Sequence, residues 1–544
     1  MGPSETVPES GTETDVVVIG AGHNGLVAAC YLARAGLRTV VVEAGKAPGG
    51  MSASGPEIPD APGHMVNTGA AELLFLQRTP IPDHLELCRH GLRTVVSDPS
   101  YVYLHPDGCS IAYWRDAGRT VDEIAHFSRR DAQAYRDLTR TLHRLLAVAA
   151  PMSETNPMRP SPAALARAGR AAVRGWRSLP GAAALAASSG EQLILERFEH
   201  PVVRSALYSL IGGVAPVTDR GSAMSAIFLA FLHDSGVLRP IGGMQAVPNA
   251  LLGCLREHGG ELWLGSAVET LTMRDGRASG VVLDDGRSIT ARRGVISACD
   301  PRQTLTRLLP GGALPRRFAD RAARLPANAA GNGWLKIDMA VRTTVTVSMH
   351  QKWRGDRLDL RRPALMIGPM ENVRRGYADA VAGRVPKAED MLVWCFCPTG
   401  IDPTQAPAGQ DVLYLSTPSV PVRPVDGWDR VRGPAVDRLL AQAGQYYDTG
   451  LDQEIGRRVE TPDTLAQRLR VTNGCYFHVD FVPARSGPLR PALGLGGYRT
   501  PVAGLYLAGA GTHPGGGVMG TSGRLAAQRL LADNGKAGAA SGKA

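Results

Sequence analysis

Three glycines in a fixed pattern, Gly20, Gly22 and Gly25, followed at Glu43 by an acid closing an apolar run, are the residues of this chain best spaced for chemistry. The chemistry is the holding of a phosphate-bearing ligand. Gly20 permits a sharp turn, Gly22 lets the backbone approach a pyrophosphate, and Gly25 lets a helix pack closely on the preceding strand. The helix N-terminus then faces the phosphates with free N–H groups and the positive end of its dipole, and His23 and Asn24, between the glycines, are further cofactor candidates. Glu43 is placed to accept a ribose hydroxyl. Val16 to Ile19 reads as a buried strand, Leu26 to Gly36 as a helix of small and apolar residues, and Val40 to Val42 as a second strand, so the stretch is a βαβ dinucleotide unit.

The residues after Glu43 separate one dinucleotide from another. The chain continues Ala44-Gly-Lys-Ala-Pro-Gly49-Gly50-Met51, a second glycine pair that a nicotinamide dehydrogenase does not need. With this pair the sequence resembles the FAD-containing amine oxidase and phytoene desaturase superfamily. The resemblance implies that Ala44, Gly49, Gly50 and Met51 lie along the pyrophosphate and flavin, and that Gly69 and Ala70, in Asn67-Thr68-Gly69-Ala70, neighbour the isoalloxazine ring. It nominates Val268, after Gly265-Ser-Ala, as a backbone contact to adenine. The last block, Gly509-Ala510-Gly511-Thr512-His513-Pro514-Gly515-Gly516-Gly517-Val518-Met519-Gly520, is similar to the phytoene-desaturase-like pattern and nominates Gly509, Gly511, Val518 and Met519. It departs from many flavoproteins in having Ala510 where they carry an acid, which leaves such contacts to backbone. A helix from Thr521 to Leu531 would bring its N-terminus to the flavin N1/O2 edge and stabilise negative charge there. His513 is the candidate acid/base, with His64, Tyr476 and His478 behind it.

These scattered segments require an α/β fold that returns to one sheet three times. The expected architecture is a Rossmann-like FAD-binding domain with an interleaved α+β substrate domain and a helical cap. Residues 15–105, 240–301 and 474–533 supply the FAD-binding domain, 106–239 the cap and first part of the substrate domain, and 302–473 its second part. Residues 1–14 and 534–544 read as disordered tails. Within the cap, a helix over 163–179 would align Arg167, Arg170, Arg174 and Arg177 on one face, beside Leu165, Val173, Trp176 and Leu179. Such a helix can lie on a membrane surface or simply face solvent.

Composition narrows the function classes. At 544 residues, 44% hydrophobic and 20% charged, the chain is long enough for a large core around a cofactor. The net charge of +10 comes with no basic run interleaved with aromatics, which argues against nucleic acid as a partner. Eight scattered cysteines without a CxxC pair read as free thiols in the cytoplasm, with no metal centre expected. No second nucleotide fingerprint for a nicotinamide reductant is present. The resemblance therefore implies an enzyme with non-covalent FAD that takes hydride from a small lipophilic or natural-product substrate, as a desaturase or dehydrogenase, and passes electrons to oxygen, a quinone or another acceptor. Oxidation of an amine or amino acid, non-redox isomerisation on the flavin, and a silent scaffold are the alternatives.

Overall fold

A computed structural model of the chain describes residues 11–176, 179–213 and 216–535. Two seven-stranded sheets organise them. In the first, Thr12–Ile19 runs parallel to Thr39–Val42 on one side and to Ser288–Ser297 on the other. Glu261–Trp263 extends the parallel set beyond Thr39–Val42, and Leu505–Leu507 joins the end of Ser288–Ser297. The antiparallel strands Arg277–Leu283 and Val268–Arg274 complete it. Segments from the beginning, middle and end of the chain thus build one sheet.

Burial on both faces explains why Val16 to Ile19 is apolar without alternation. Val16 and Val18 pack with Leu26, Leu251 and Leu530 from the helices His23–Arg34, Ala246–Glu257 and Thr521–Asp533. Val17 and Ile19 face the other way, into a core with Val281, Leu283 and Leu305. The first strand starts at Thr12, inside the stretch expected to be a tail, because Thr12 to Thr14 pair with Ile289 to Ala291.

The second sheet runs Glu454–Glu460, Asn332–Val341, Asp411–Pro421, Val393–Phe396, Ala364–Ile367, Tyr101–Leu104, Ser110–Tyr113. Tyr101–Leu104, counted above with the first FAD-binding segment, belongs here. Alternation sets its two faces. Leu335, Ile337 and Met339 pack with Trp428 and Leu439 of the helix Trp428–Gly444. Tyr101, Met366, Trp394 and Phe396 face a helical layer that includes Arg129–Ser153, Pro201–Gly212 and Ile227–Ser235. The helix expected over 163–179 is shorter. It spans Pro162–Arg174, capped by the Ser161 hydroxyl and ending at Gly175. Arg177 lies outside the described residues, and so do 1–10 and 536–544 of the expected tails.

Candidate functional site

A cavity of about 1500 Å³ opens between the two sheets and under the helical layer. That exceeds the roughly 300–1,000 Å³ of an ordinary ligand pocket, so it can take a dinucleotide and a second molecule together. The glycine loop forms one end. Gly20 adopts φ +96°, and its N–H donates to the Val42 carbonyl at 2.8 Å. A Cβ on Gly25 would stand 1.9 Å from the Gly20 carbonyl oxygen, so helix and turn touch only because Gly25 has no side chain. A Cβ on Gly22 would meet nothing within 4 Å, which leaves its backbone open to a ligand. The Glu43 carboxylate, at the cavity wall, accepts the N–H groups of Ala21 at 2.7 Å and Gly45 at 2.8 Å.

Of the residues named from sequence, Gly20, Gly22, His23, Asn24, Gly25, Glu43, Ala44, Gly50, Met51, Gly69, Ala70, Val268, His513, Val518 and Met519 line this one cavity. Gly49, Gly509 and Gly511 do not. Gly49 sits behind the wall at φ +128°, its N–H donating to the Ala21 carbonyl at 2.9 Å, and so ties the Gly50–Ser52 turn to the glycine loop. Gly509 and Gly511 are packing positions: Cβ atoms there would come within 2.6 Å of the Ala298 carbonyl oxygen and 2.7 Å of the Pro301 ring. The run Gly515-Gly516-Gly517 makes room for aromatic rings, since added Cβ atoms would fall 3.1, 2.6 and 2.6 Å from Phe481, Phe477 and Phe75.

Two helix N-termini converge at the glycine end. Gly523 of Thr521–Asp533 crosses the first helix so closely that a Cβ would lie 2.0 Å from the Asn24 carbonyl oxygen. Neither helix has a side-chain cap, which leaves both sets of N–H groups for a ligand. His23 Nε2, Asn24 Oδ1, His478 Nδ1 and His513 Nδ1 also line the cavity, buried and without a protein partner. Unpaired polar atoms at an anion-binding loop fit a phosphate-bearing, hydrogen-bonding cofactor.

His513 is a weak base. Burial, with Arg490 adding to it, pushes the imidazole down to about 4, so it is neutral near pH 7. Its Nε2–H donates to the Met152 carbonyl at 3.1 Å, which leaves Nδ1 as an acceptor only. The Tyr498 and Ser522 hydroxyls donate to its own carbonyl at 2.8 and 2.9 Å. These contacts pin the loop to both the cap and the last helix. Burial, with His478 nearby, likewise lowers His23 to about 4. Tyr476 and His478 line the cavity as well; His64 is buried away from it.

Beyond Gly69 and Ala70 the walls become aromatic: Phe75, Phe228, Phe231, Trp394, Phe396 and Tyr414. Phe75 meets Phe231 edge-on at 4.9 Å, and Phe396 meets Tyr414 at 5.0 Å. Two charged groups interrupt them. Lys336 Nζ donates to the Asn67 carbonyl at 2.5 Å and to Asp338 Oδ1 at 2.6 Å, and lies 4.2 Å from the Tyr414 ring centre. Burial pushes the amine down, against the pull of Asp338. Glu72 accepts from the Tyr101 hydroxyl and lies 3.3 Å from Arg239; burial pushes its carboxyl up, opposed by Arg239 and Tyr101. Sequence reading missed both. For Lys336 a signal existed, because Lys336 and Asp338 alternate with Leu335, Ile337 and Met339 in a strand buried on both faces.

The family model described as flavin containing amine oxidoreductase matches residues 25–531. This chain belongs to that family. It is an enzyme, a flavin-dependent oxidoreductase of the amine oxidase superfamily. Over 96% of its length it is 29% identical to "Pyridine nucleotide-disulfide oxidoreductase domain-containing protein 2" of Rattus norvegicus, covering 94% of that protein. It is 27% identical to the "Phytoene desaturase (lycopene-forming)" of Pseudescherichia vulneris, over 95% of this chain and 99% of that one. A solved oxidoreductase from Methanosarcina mazei shares the fold with a TM-score of 0.60 at 17% identity, over 96% of this chain and 100% of its own.

Proposed function

We propose that this family member binds FAD non-covalently along the glycine loop and Glu43, and desaturates a lipophilic substrate held in the aromatic half of the cavity. One observation carries the reading: the cavity that starts at the glycine loop continues past Gly69 and Ala70 into walls of Phe75, Phe228, Phe231, Trp394 and Phe396. Bound there, FAD would supply the hydride acceptor. The protein's own contribution is to orient an apolar molecule and exclude water, which is most of what dehydrogenation asks of side chains. Lys336 supports the Asn67-to-Ala70 loop from below and is a buried amine that can hold or release a proton at the cavity wall. His513, a candidate acid/base in the sequence, offers a hydrogen-bond acceptor there.

The test is anaerobic mixing of flavin-loaded protein with a panel of terpenoid and polyene hydrocarbons. Bleaching of the flavin absorption with formation of a new double bond is expected. Flavin reduced only by amines, with peroxide on readmitting oxygen, would replace this reading with C–N oxidation, which the Glu72 carboxylate favours because it could receive an ammonium group. We further propose that the enzyme works in the cytoplasm, consistent with eight free cysteines, and collects substrate at a membrane surface through Pro162–Arg174. Among the described residues no helix is long and apolar enough to cross a membrane.

A further inference from the structure

Outside the cofactor cavity, the hairpin between Tyr101–Leu104 and Ser110–Tyr113 carries His105, Asp107 and Cys109 at alternate positions around its turn. One potential ligand atom from each, an imidazole nitrogen, a carboxylate oxygen and a thiol sulfur, lies within 4.8 Å of the other two. We propose that this turn is a binding site for a zinc-class divalent cation, with His105, Asp107 and Cys109 as its protein ligands.

The geometry supports convergence on a common point. His105 Nδ1 and Asp107 Oδ1 stand 2.8 Å apart as a close imidazole–carboxylate pair, so two of the three donors already face one another. At ~2.0–2.2 Å from one zinc ion the two atoms would move apart to roughly 3.3–3.6 Å, the edge of a tetrahedron. The backbone holds the three in place. His105 N–H donates to the Cys109 carbonyl at 2.9 Å, Gly108 N–H to the His105 carbonyl at 3.0 Å, and Cys109 N–H to Asp107 Oδ1 at 3.1 Å. His350, fully buried, donates from Nε2 to the His105 carbonyl at 2.9 Å. The turn passes through Gly108 at φ +94°, a conformation that draws the flanking residues together.

The donor set selects the cation. A thiolate with an imidazole and a single carboxylate suits zinc and its neighbours, whereas calcium and magnesium require oxygen ligands. Met349 adds to the soft character: its Sδ would lie 3.5 Å from a Cβ on Gly108, which places the thioether over the turn. Cys109 is buried and Asp107 exposed, so the cation would seat on the sulfur and complete its shell from the solvent side with water. Loading displaces the thiol proton to solvent, so uptake of one cation releases about one proton.

The experiment uses the full flavin-loaded protein stripped of metal by a chelator. Zn2+ is titrated in competition with a chromophoric chelator, and Co2+ is added separately to read thiolate-to-cobalt charge transfer. One tight equivalent, a thiolate charge-transfer band and proton release are expected. Cys109→Ser and His105→Gln should each weaken binding at least ~10-fold, Asp107→Asn should weaken it less, and Cys88→Ser, at an exposed cysteine, should not change it. Asp107 is exposed, so Asp107→Asn tests the site without disturbing the core, and flavin absorbance reports that each variant is folded. Equal binding by the wild type and the Cys109→Ser variant, a cobalt complex without the thiolate band, or no equivalent bound would overturn the proposal.

Discussion

Two glycines three residues apart do different work, and single substitutions separate them. Gly25→Ala forces a methyl to within 1.9 Å of the Gly20 carbonyl oxygen, and because the obstacle is backbone the strand and helix must part. The expected cost is ~1–3 kcal/mol or more, read as a lower Tm of the flavin-free protein together with lost flavin. Gly22→Ala meets nothing within 4 Å in the protein and its φ of −67° suits alanine, so the flavin-free Tm should hold while flavin binding weakens. Equal Tm losses in both variants would show that Gly22 is a packing position too. At this scale the glycine loop was legible because its reasons are local: turn, approach and helix contact lie within a few residues. Gly509 and Gly511 show the complementary case. A cofactor-contacting glycine and one that clears Ala298 and Pro301 look alike until the distant partner is known.

The two crossing helices carry a pH dependence. His23 on the first and His513 in the loop leading to the last are each held near 4, below the ordinary value of 6.5, chiefly by burial. A depressed histidine stabilises the fold fully above its unfolded value and loses that contribution as pH falls toward the folded one. The window is therefore pH 6.5 down to about 4, with at most ~3 kcal/mol per histidine. His23 is partly open to the cavity, so the smaller share should be its own. Thermal melts of the flavin-free protein should drop across this window, with flavin fluorescence rising as holoenzyme releases its cofactor. The His23→Gln His513→Gln variant should show a shallower drop, and an unchanged slope would remove both histidines from the account. An element with a strong local pattern was readable here: the helix expected over Thr521 to Leu531 spans Thr521–Asp533. The aromatic walls were not, because Phe75, Phe228 and Trp394 come from separate elements that only tertiary packing brings together. Pro162–Arg174 was overextended, because Gly175 ends a helix that composition alone would continue.

At the scale of the whole molecule, Arg167 lines the cavity while its neighbours Leu165 and Val173 are 50% and 74% exposed, so this short helix stands at the rim with apolar side chains facing outward. Ala164 and Ala168 make its inward contacts. Arg170 and Arg174 add positive charge on the same exposed element. Co-sedimentation should show binding to vesicles containing phosphatidylglycerol, weaker binding to neutral phosphatidylcholine, and relief by salt. Leu165→Asp with Val173→Asp should reduce it at least ~10-fold, since each apolar side chain is worth ~1.5–3 kcal/mol when buried. Sedimentation unaffected by the double substitution would dismiss the helix as a membrane contact.

The strand Leu505–Leu507 and the helix Thr521–Asp533 complete a sheet and a cavity wall that Thr12–Ile19 begins. A chain emerging from the ribosome makes the phosphate loop well before its closing partners. From its own synthesis until that of Leu505–Leu507 the Ser288–Ser297 strand lacks this neighbour, and until Gly523 is made the first helix lacks the one that crosses it. Assembly of the holoenzyme therefore waits for residues 505–533, and a nascent chain has an unpaired strand edge to protect until then.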